Sequence, residues 1–130
     1  MIKLSVHILT YNSERYIKDA LDSVLKQKTN FPIEIIVGDD ASIDSTFEIL
    51  KSYSDKHSFI KLKQNKQNLG ILKNFKETLD RCSGEYVFDL QDSIVQFWIQ
   101  GQLISESEIF HIDGHRDTLW HIRAIPKDTL

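Results

Sequence analysis

The chain has 130 residues, with 16 basic and 19 acidic side chains and a formal net charge of −3. This length predicts one domain, and the slightly acidic balance argues against a general nucleic-acid binder. No apolar run approaches the ~20 residues that span a bilayer, no secretory signal is expected, and the lone Cys82 favours the reducing cytoplasm.

The first ninety residues alternate between strand-like and helical patterns. Short β-branched, apolar runs predict strands at 4–10, 33–38, 58–63 and 85–90. Between them, helices are predicted at 13–27 with Ser13 as N-cap, from 44–46 onward with Asp44 or Ser45 as cap, and at 71–81. This order predicts an α/β fold in which helices pack on a parallel sheet.

Each predicted helix has an apolar face that we expect to point inward. The inward residues are Tyr16, Ile17, Ala20, Leu21, Val24 and Leu25 in the first helix, Phe47, Leu50 and Tyr53 in the second, and Ile71, Leu72, Phe75 and Leu79 in the third. The run 35–37 lacks alternation, so both faces of that strand are expected to be covered.

Polar residues follow the predicted strands, where ligands of such sheets bind. Asp39 and Asp40 end the second strand, and their carboxylates can accept hydrogen bonds from a base or a ribose. Tyr11 and its polar neighbours after the first strand suit stacking and hydrogen bonding to a nucleobase. The alternative is structural: Asp40, Ser42 and Asp44 as turn formers and caps, and Asn12 or Ser13 as a helix cap.

Five motifs in order and spacing resemble family-2 glycosyltransferases of the GT-A type. They are SVHILTYN at 5–12, ALDSVLKQ at 20–27 after Tyr16-Ile17, EIIVGDDAS at 34–42 followed by Asp44-Ser45-Thr46, NLGI at 68–71 with Asn74, and GEYV at 84–87. The resemblance covers about residues 3–90. It implies a Rossmann-like GT-A half-domain that binds a nucleotide-diphospho-sugar, typically a UDP-sugar, for glycosyl transfer to an acceptor hydroxyl.

The resemblance also implies roles for individual residues. Base and ribose would be held by Thr10, Tyr11, Asn12, Asp39 and Asp40, with Glu14 close enough to contribute. Lys73 stands near a position where the family often carries a basic residue that faces a carboxylate or the diphosphate. For Lys73, a solvated helix lysine is an equal alternative.

The family carries an Asp-X-Asp motif after the fourth strand, and its carboxylates hold Mg²⁺ or Mn²⁺ on the sugar diphosphate. In this sequence Gln91 and Ser93 occupy the two carboxylate positions, and Asp92 lies between them. Asp92 is therefore the one candidate metal ligand, and the sequence argues against a metal site of the family's kind.

Residues 93–130 match neither the acceptor-binding region nor the catalytic base of the family. We expect a nucleotide-sugar-binding domain over 1–92 and an irregular C-terminal extension over 93–130 packed on it, which indicates a truncated or rearranged chain. Ile94, Val95, Phe97 and Ile99 are expected to cover the sheet edge or pair with a second copy. The cluster His111, Asp113, His115 and His121 is interpreted as a polar turn, with a zinc-type site as the alternative.

The hypotheses for function come from different classes. The first is an active transferase that takes a nucleotide-sugar donor and a saccharide or lipid-linked acceptor, with catalytic residues unknown. The second is a truncated, non-catalytic nucleotide-binding remnant or interaction module. The third is an unrelated nucleotide-binding α/β domain, which a different strand order would favour.

Overall fold

The computed structural model describes residues 1–27 and 29–91 and four short strands further along the chain. The first part contains β1 (Leu4–Thr10), α1 (Ile17–Leu25), β2 (Ile33–Asp39), α2 (Thr46–Lys56), β3 (Ile60–Gln64), α3 (Ile71–Asp80) and β4 (Tyr86–Gln91). The short strands are β5 (Ile94–Val95), β6 (Ile109–Ile112), β7 (Trp120–Arg123) and β8 (Ile125–Pro126). The predicted alternation of strands and helices is confirmed.

The first four strands form a parallel sheet in the order β3-β2-β1-β4. The chain moves outward from β1 to β3 and then returns, through α3, to the other side of β1. All four carboxyl ends therefore lie at one edge of the sheet, as the predicted α/β fold requires. Among the described helices, none is long and apolar enough to cross a membrane.

The described strands of the C-terminal part add to this sheet or pair with each other. Both β5 and β8 pair antiparallel with β4, so the backbone at Ile94 and Val95 covers the sheet edge as predicted. Strands β6 and β7 form a separate ladder in which His111 is opposite His121. Phe97, Ile99, Asp113 and His115 lie outside the described residues, and the division of the chain at residue 92 stays a prediction.

One face of the sheet is apolar and packs against α1 and α2. Alternate residues of β1, β2 and β4 point to this face because side chains alternate along a strand. The main buried set is Leu4, Val6, Ile8, Ile35, Val37, Phe88 and Leu90 from the strands, with Ile17, Ala20, Leu21, Val24 and Leu50 from the helices. This face supplies most of the hydrophobic stabilisation of the domain.

The opposite face, under α3, carries buried polar residues. Ser5 and His7 of β1 and Glu34 of β2 are each at most 1% exposed. His7 Nδ1 lies 2.8 Å from Asp89 Oδ1 of β4, and the ring packs edge-on against Phe75 of α3. The same face also carries a small apolar cluster of Ile36, Cys82 and Val87, against which Leu79 of α3 packs, so both polar and apolar contacts join α3 to the sheet.

The predicted inward face of α3 is partly wrong. Ile71 and Leu72 are 67% and 84% exposed, whereas Asn74 and Thr78 are buried. Gly38 explains this orientation, because a Cβ at Gly38 would lie only 2.0 Å from Thr78 Oγ1. Without that Cβ, α3 approaches β2 closely, and Asn74 Nδ2 donates to the Gly38 carbonyl at 3.1 Å.

The start of the first helix is also corrected. α1 begins at Ile17 rather than at residue 13, because the Ser13 carbonyl accepts the amides of Tyr16 and Ile17 in a preceding turn. Tyr16 consequently lies outside the core and is 51% exposed. At the start of α2 the Asp44 carboxylate accepts a hydrogen bond from the Thr46 amide at 3.0 Å. Of the two predicted caps, Asp44 and Ser45, it is therefore the side chain of Asp44 that caps the helix.

Glu34 is the centre of a hydrogen-bond network at the amino ends of the strands. Its carboxylate accepts the Ser5 and Ser83 hydroxyls and the Ser83 amide, each at 2.7 Å, and Lys61 Nζ at 2.9 Å. Burial alone would raise the pKa of Glu34, but these hydrogen bonds outweigh burial and lower the pKa to about 2. The charged form is therefore the one that the fold stabilises.

The Glu34 network predicts acid-dependent stability. The lowered pKa contributes about 3 kcal/mol to the free energy of unfolding above the ordinary pKa of 4.5, and this contribution is lost as pH falls from 4.5 towards 2. Urea titrations across this range should show Glu34→Gln much less stable than wild type at pH 7, with the difference closing at low pH. The exposed Glu48→Gln control should show no such convergence; a constant difference for Glu34→Gln would contradict the assignment.

The close approach at Gly38 predicts a strong coupling with Thr78. Gly38→Ala should lower the free energy of unfolding by about 2–3 kcal/mol, because the new methyl group overlaps the Thr78 hydroxyl. Thr78→Ala removes that hydroxyl, so adding it to Gly38→Ala should recover part of the loss. Chemical denaturation of the two single variants and the double variant measures this coupling, and purely additive losses would refute it.

Candidate functional site

A cavity of about 390 Å³ opens where β1 and β2 end. Its walls come from the end of β1, the first residue after β2, and the loop that leads into α3. The lining residues are Leu9, Thr10, Tyr11, Ser13, Asp40, Asn68, Gly70, Ile71 and Asn74. Tyr11 is 53% exposed, so its ring offers an accessible aromatic surface beside polar groups.

The predicted site residues divide into two groups. Thr10, Tyr11 and Asp40 line the cavity. Asn12, Glu14 and Asp39 lie in the adjoining loops and strand end without lining it, and Lys73 is an exposed residue of α3, two positions beyond the lining residue Ile71. Asp92 lies outside the described residues.

Asp39 connects the ends of three strands. Its fully buried carboxylate accepts Thr10 Oγ1 of β1 at 2.7 Å and Gln64 Nε2 of β3 at 3.2 Å. It also accepts the Ser42 hydroxyl at 2.6 Å and the Ser42 amide at 3.1 Å. Asp39 thus fixes the relative positions of β1, β3 and the loop after β2.

Asp40 points to the other side of the backbone and holds the loop at residues 65–70. Its Oδ1 accepts the Leu69 amide at 2.7 Å and Asn65 Nδ2 at 3.0 Å, and its Oδ2 accepts the Gly70 amide at 3.0 Å. The Asp40 amide donates to the Thr10 carbonyl at 2.9 Å. One residue therefore joins β1 to the loop that forms the opposite wall.

Asn12 and Glu14 connect the loop after β1 to the loop after β2. The Asn12 amide donates to Ser42 Oγ and its Oδ1 accepts the Ile43 amide, both at 2.9 Å. Glu14 Oε2 accepts the Ser45 amide at 3.0 Å. Asn12 and Ala41 both have positive φ, 51° and 61°, which costs more for Ala than for Asn. These cross-links hold the two loops in that conformation.

Some lining residues were given no role of their own by the sequence. Asn74 belongs to the motifs that carry the resemblance, but its burial follows only from the closeness of α3 to Gly38. Asn65 does not line the cavity but donates from Nδ2 to both Asp40 and Asn74. The sequence signal for this wall is the NLGI motif at 68–71 with Asn74, which is part of the resemblance to the family, whereas no motif marks Asn65.

The end of β4 is where the resemblance implies a divalent ion. Among the described residues, no three His, Cys, Asp or Glu side chains lie together as a ligand set. Asp89, on β4, directs one carboxylate oxygen at the His7 ring and is 10% exposed at its side chain. The other carboxylate oxygen of Asp89 is buried without a hydrogen-bond partner among the described residues. Asp92 and Ser93 lie outside the described residues, so metal binding at these positions stays a prediction.

Comparison with known proteins identifies the family. The sequence model described as glycosyl transferase family 2 matches residues 5–91. The chain belongs to this family. It is 32% identical over 116 residues to an uncharacterised protein of Mycobacterium tuberculosis, matching 88% of this chain and 33% of that protein. It is 34% identical over 123 residues to the Staphylococcus aureus poly(ribitol-phosphate) beta-N-acetylglucosaminyltransferase TarS, matching 92% of this chain and 20% of TarS.

Solved structures confirm the GT-A fold of this family-2 glycosyltransferase domain. TarS 1–349 has been solved with UDP and with UDP-GlcNAc; the latter superposes with a TM-score of 0.63 at 36% identity, over 71% of this chain and 27% of that one. A Pyrobaculum calidifontis mannosyltransferase solved with GDP-Man and Mn²⁺ gives a TM-score of 0.62 at 24% identity, over 70% and 27% of the two chains, which supports the fold alone. The chain spans a third or less of the length of these curated relatives.

The bond between Thr10 and Asp39 predicts a requirement for a hydroxyl at position 10. Thr10→Val keeps the shape but removes the donor to a fully buried carboxylate, so the free energy of unfolding should fall by about 1–3 kcal/mol. Thr10→Ser retains the hydroxyl and should lose less. Urea denaturation compares the three proteins; a loss in Thr10→Ser as large as in Thr10→Val would contradict the requirement for the hydroxyl.

Proposed function

We propose that this family-2 glycosyltransferase domain binds a UDP-sugar in the cavity at the ends of β1 and β2, as the donor for glycosyl transfer to an acceptor hydroxyl. The observation that carries the proposal is the half-exposed Tyr11 ring at a cavity walled by Thr10 and Asp40. An exposed aromatic ring offers a stacking surface for a base, and the neighbouring oxygen atoms accept hydrogen bonds from base and ribose. The binding of UDP and UDP-GlcNAc by the related TarS supports the choice of donor.

The proposed roles of the site residues follow their placement. Thr10 and Tyr11 would contact the nucleoside part of the donor. Asn12, Glu14 and Asp39 would contribute by holding the loops around it, since their side chains bond to protein groups. Lys73, on the exposed side of α3, is proposed to meet the charged diphosphate.

The transfer reaction itself is proposed from family membership. An acceptor hydroxyl must lose its proton as it attacks the sugar, so a general base is required, and we assign none. A divalent ion, when bound, would neutralise charge on the departing diphosphate. Asp92 is the proposed ligand, and the saccharide or lipid-linked nature of the acceptor remains a proposal of the same kind.

The decisive experiment is calorimetric titration of UDP into the purified chain, with and without Mn²⁺. We expect saturable binding at one site per chain. Binding that strengthens with Mn²⁺ would support Asp92 as a ligand, whereas equal binding would support donor recognition without the family's metal. Absence of binding to UDP and to UDP-sugars would refute the proposed function.

Tyr11 provides the specific prediction for this site. Tyr11→Ala should weaken UDP binding by about tenfold or more, because stacking of a base on an aromatic ring is worth ~1–3 kcal/mol. Tyr16→Ala is the matched control: Tyr16 is equally exposed, at 51%, and lies five residues further along without lining this cavity. Equal losses in both variants would contradict the stacking role.

The non-catalytic alternative is separated by a second assay. Release of free sugar or transfer from a UDP-sugar, measured as UDP production, would show catalysis by the chain itself. Tight UDP binding with no UDP production from any donor and acceptor pair would instead favour a nucleotide-binding module. Either outcome leaves the assignment of the cavity intact.

A further inference from the structure

One wall of the cavity is built from a loop without regular secondary structure. Asn68 and Gly70 of residues 65–70 line the cavity, and Ile71 begins α3 directly after them. Gly70 has φ 87° and ψ 161°, a conformation that residues other than glycine rarely adopt. Apart from its chain neighbours, no atom of the described residues lies within 4 Å of the position that a Cβ would take there, so close packing does not impose this conformation.

Hydrogen bonds from Asp40 hold this loop in place. The Leu69 and Gly70 amides both donate to the Asp40 carboxylate, at 2.7 and 3.0 Å. Asn68 Nδ2 donates to the Asp40 carbonyl at 3.3 Å. The position of the wall thus depends on where the Asp40 side chain points.

Asn65 fixes the direction of that side chain. Its Nδ2 donates to Asp40 Oδ1 at 3.0 Å and to Asn74 Oδ1 at 2.9 Å, which uses both amide protons. Asn74 in turn donates to the Gly38 carbonyl of β2 at 3.1 Å. Asn65 therefore bridges the loop anchor Asp40 to α3 and, through α3, to the sheet.

Asn65 makes these bonds from a position where it does not contact a ligand in the cavity. It is 9% exposed and is not among the residues that line the cavity. Its backbone amide is used separately, donating to the Asp39 carbonyl at 2.8 Å. Truncating the side chain removes the bridge while leaving that backbone bond available.

We propose that Asn65 is a positioning residue for donor binding, which holds the wall at residues 65–70 in its binding-competent conformation through Asp40 and Asn74. The inference rests on the proposed UDP-sugar function of the cavity. Its physical basis is a change of population: when the wall is competent only part of the time, the measured affinity falls by that fraction. A side chain that never touches the nucleotide thereby sets the affinity for it.

The test compares Asn65→Ala with wild type in two measurements. UDP affinity, measured by calorimetry, should fall by about tenfold, the scale expected when one buried hydrogen-bond bridge is lost. In the ligand-free protein, the Leu69 and Gly70 amides should exchange with solvent deuterium faster than in wild type, because they spend more time away from Asp40. A residue that acted only by touching the ligand would leave the ligand-free exchange rates unchanged.

Ser83→Ala is the matched control for general destabilisation. It removes the Ser83 hydroxyl bond to Glu34 at the amino ends of the strands, the opposite end of the sheet from the cavity. It should lower the melting temperature while leaving UDP affinity and the Leu69 and Gly70 exchange rates as in wild type. A comparable loss of affinity in Ser83→Ala would overturn the positioning role.

The outcomes separate this inference from the proposed function. If wild type binds UDP and Asn65→Ala binds it equally well, the inference fails and the proposed function stands. If wild type does not bind UDP, the proposed function fails, and with it the role of Asn65 in donor binding. If Asn65→Ala does not fold, Asn65→Ser, which keeps a short polar side chain, replaces it in both measurements with the same criteria.

Discussion

Two consecutive carboxylates buried at the end of β2 impose the geometry of the site. A charged carboxylate removed from water must be surrounded by donors, or its burial costs several kcal/mol. Asp39 and Asp40 are 0% and 4% exposed, and they point to opposite sides of the backbone. Asp39 draws donors from β1, β3 and residue 42, whereas Asp40 draws them from residues 65–70. Satisfying both carboxylates brings the end of β1 and residues 65–70 together at the end of β2, so these walls of the cavity and the local fold have the same cause.

The polar face of the sheet determines how α3 contributes. On the α1 and α2 side, apolar burial selects which helix residues face inward. On the α3 side, the close approach at Gly38 and the amide of Asn74 select the face instead, and Asn74 and Thr78 become buried. Ile71 and Leu72 are turned outward as a consequence, and Ile71 reaches the cavity wall. The exposed apolar start of α3 is thus a result of polar packing beneath it.

The same distinction explains what the sequence could predict. Strands β1 to β4 and the apolar faces of α1 and α2 follow from periodicity, because hydrophobic burial orients them. The inward face of α3 could be predicted only in part. Phe75 and Leu79 face the sheet as expected, but apolar spacing carries no information about a buried Asn74 hydrogen-bonded to a backbone carbonyl. α1 begins later than predicted because a turn at Ser13 precedes it. The helical spacing of Tyr16 does not distinguish that turn from the helix itself. The role of Asn65 could not be predicted for a similar reason. It depends on hydrogen bonds to Asp40 and Asn74, which lie 25 and 9 positions away in the chain.

The cavity and the end of β4 are built by different hydrogen-bond networks. The groups that build the cavity lie between residues 9 and 74, and each is fixed by hydrogen bonds within that span. At β4, Asp89 Oδ1 faces His7, whose other ring nitrogen lies 3.4 Å from the Phe75 carbonyl, so this oxygen connects β4 to α3 through His7. Asp89 Oδ2 is buried without a hydrogen-bond partner among the described residues. Nothing in the hydrogen bonding of the cavity passes through Asp89. Among the described residues, the hydrogen bonds of the cavity and those of Asp89 therefore form separate networks, so a substitution at Asp89 should leave the cavity's own hydrogen bonds in place.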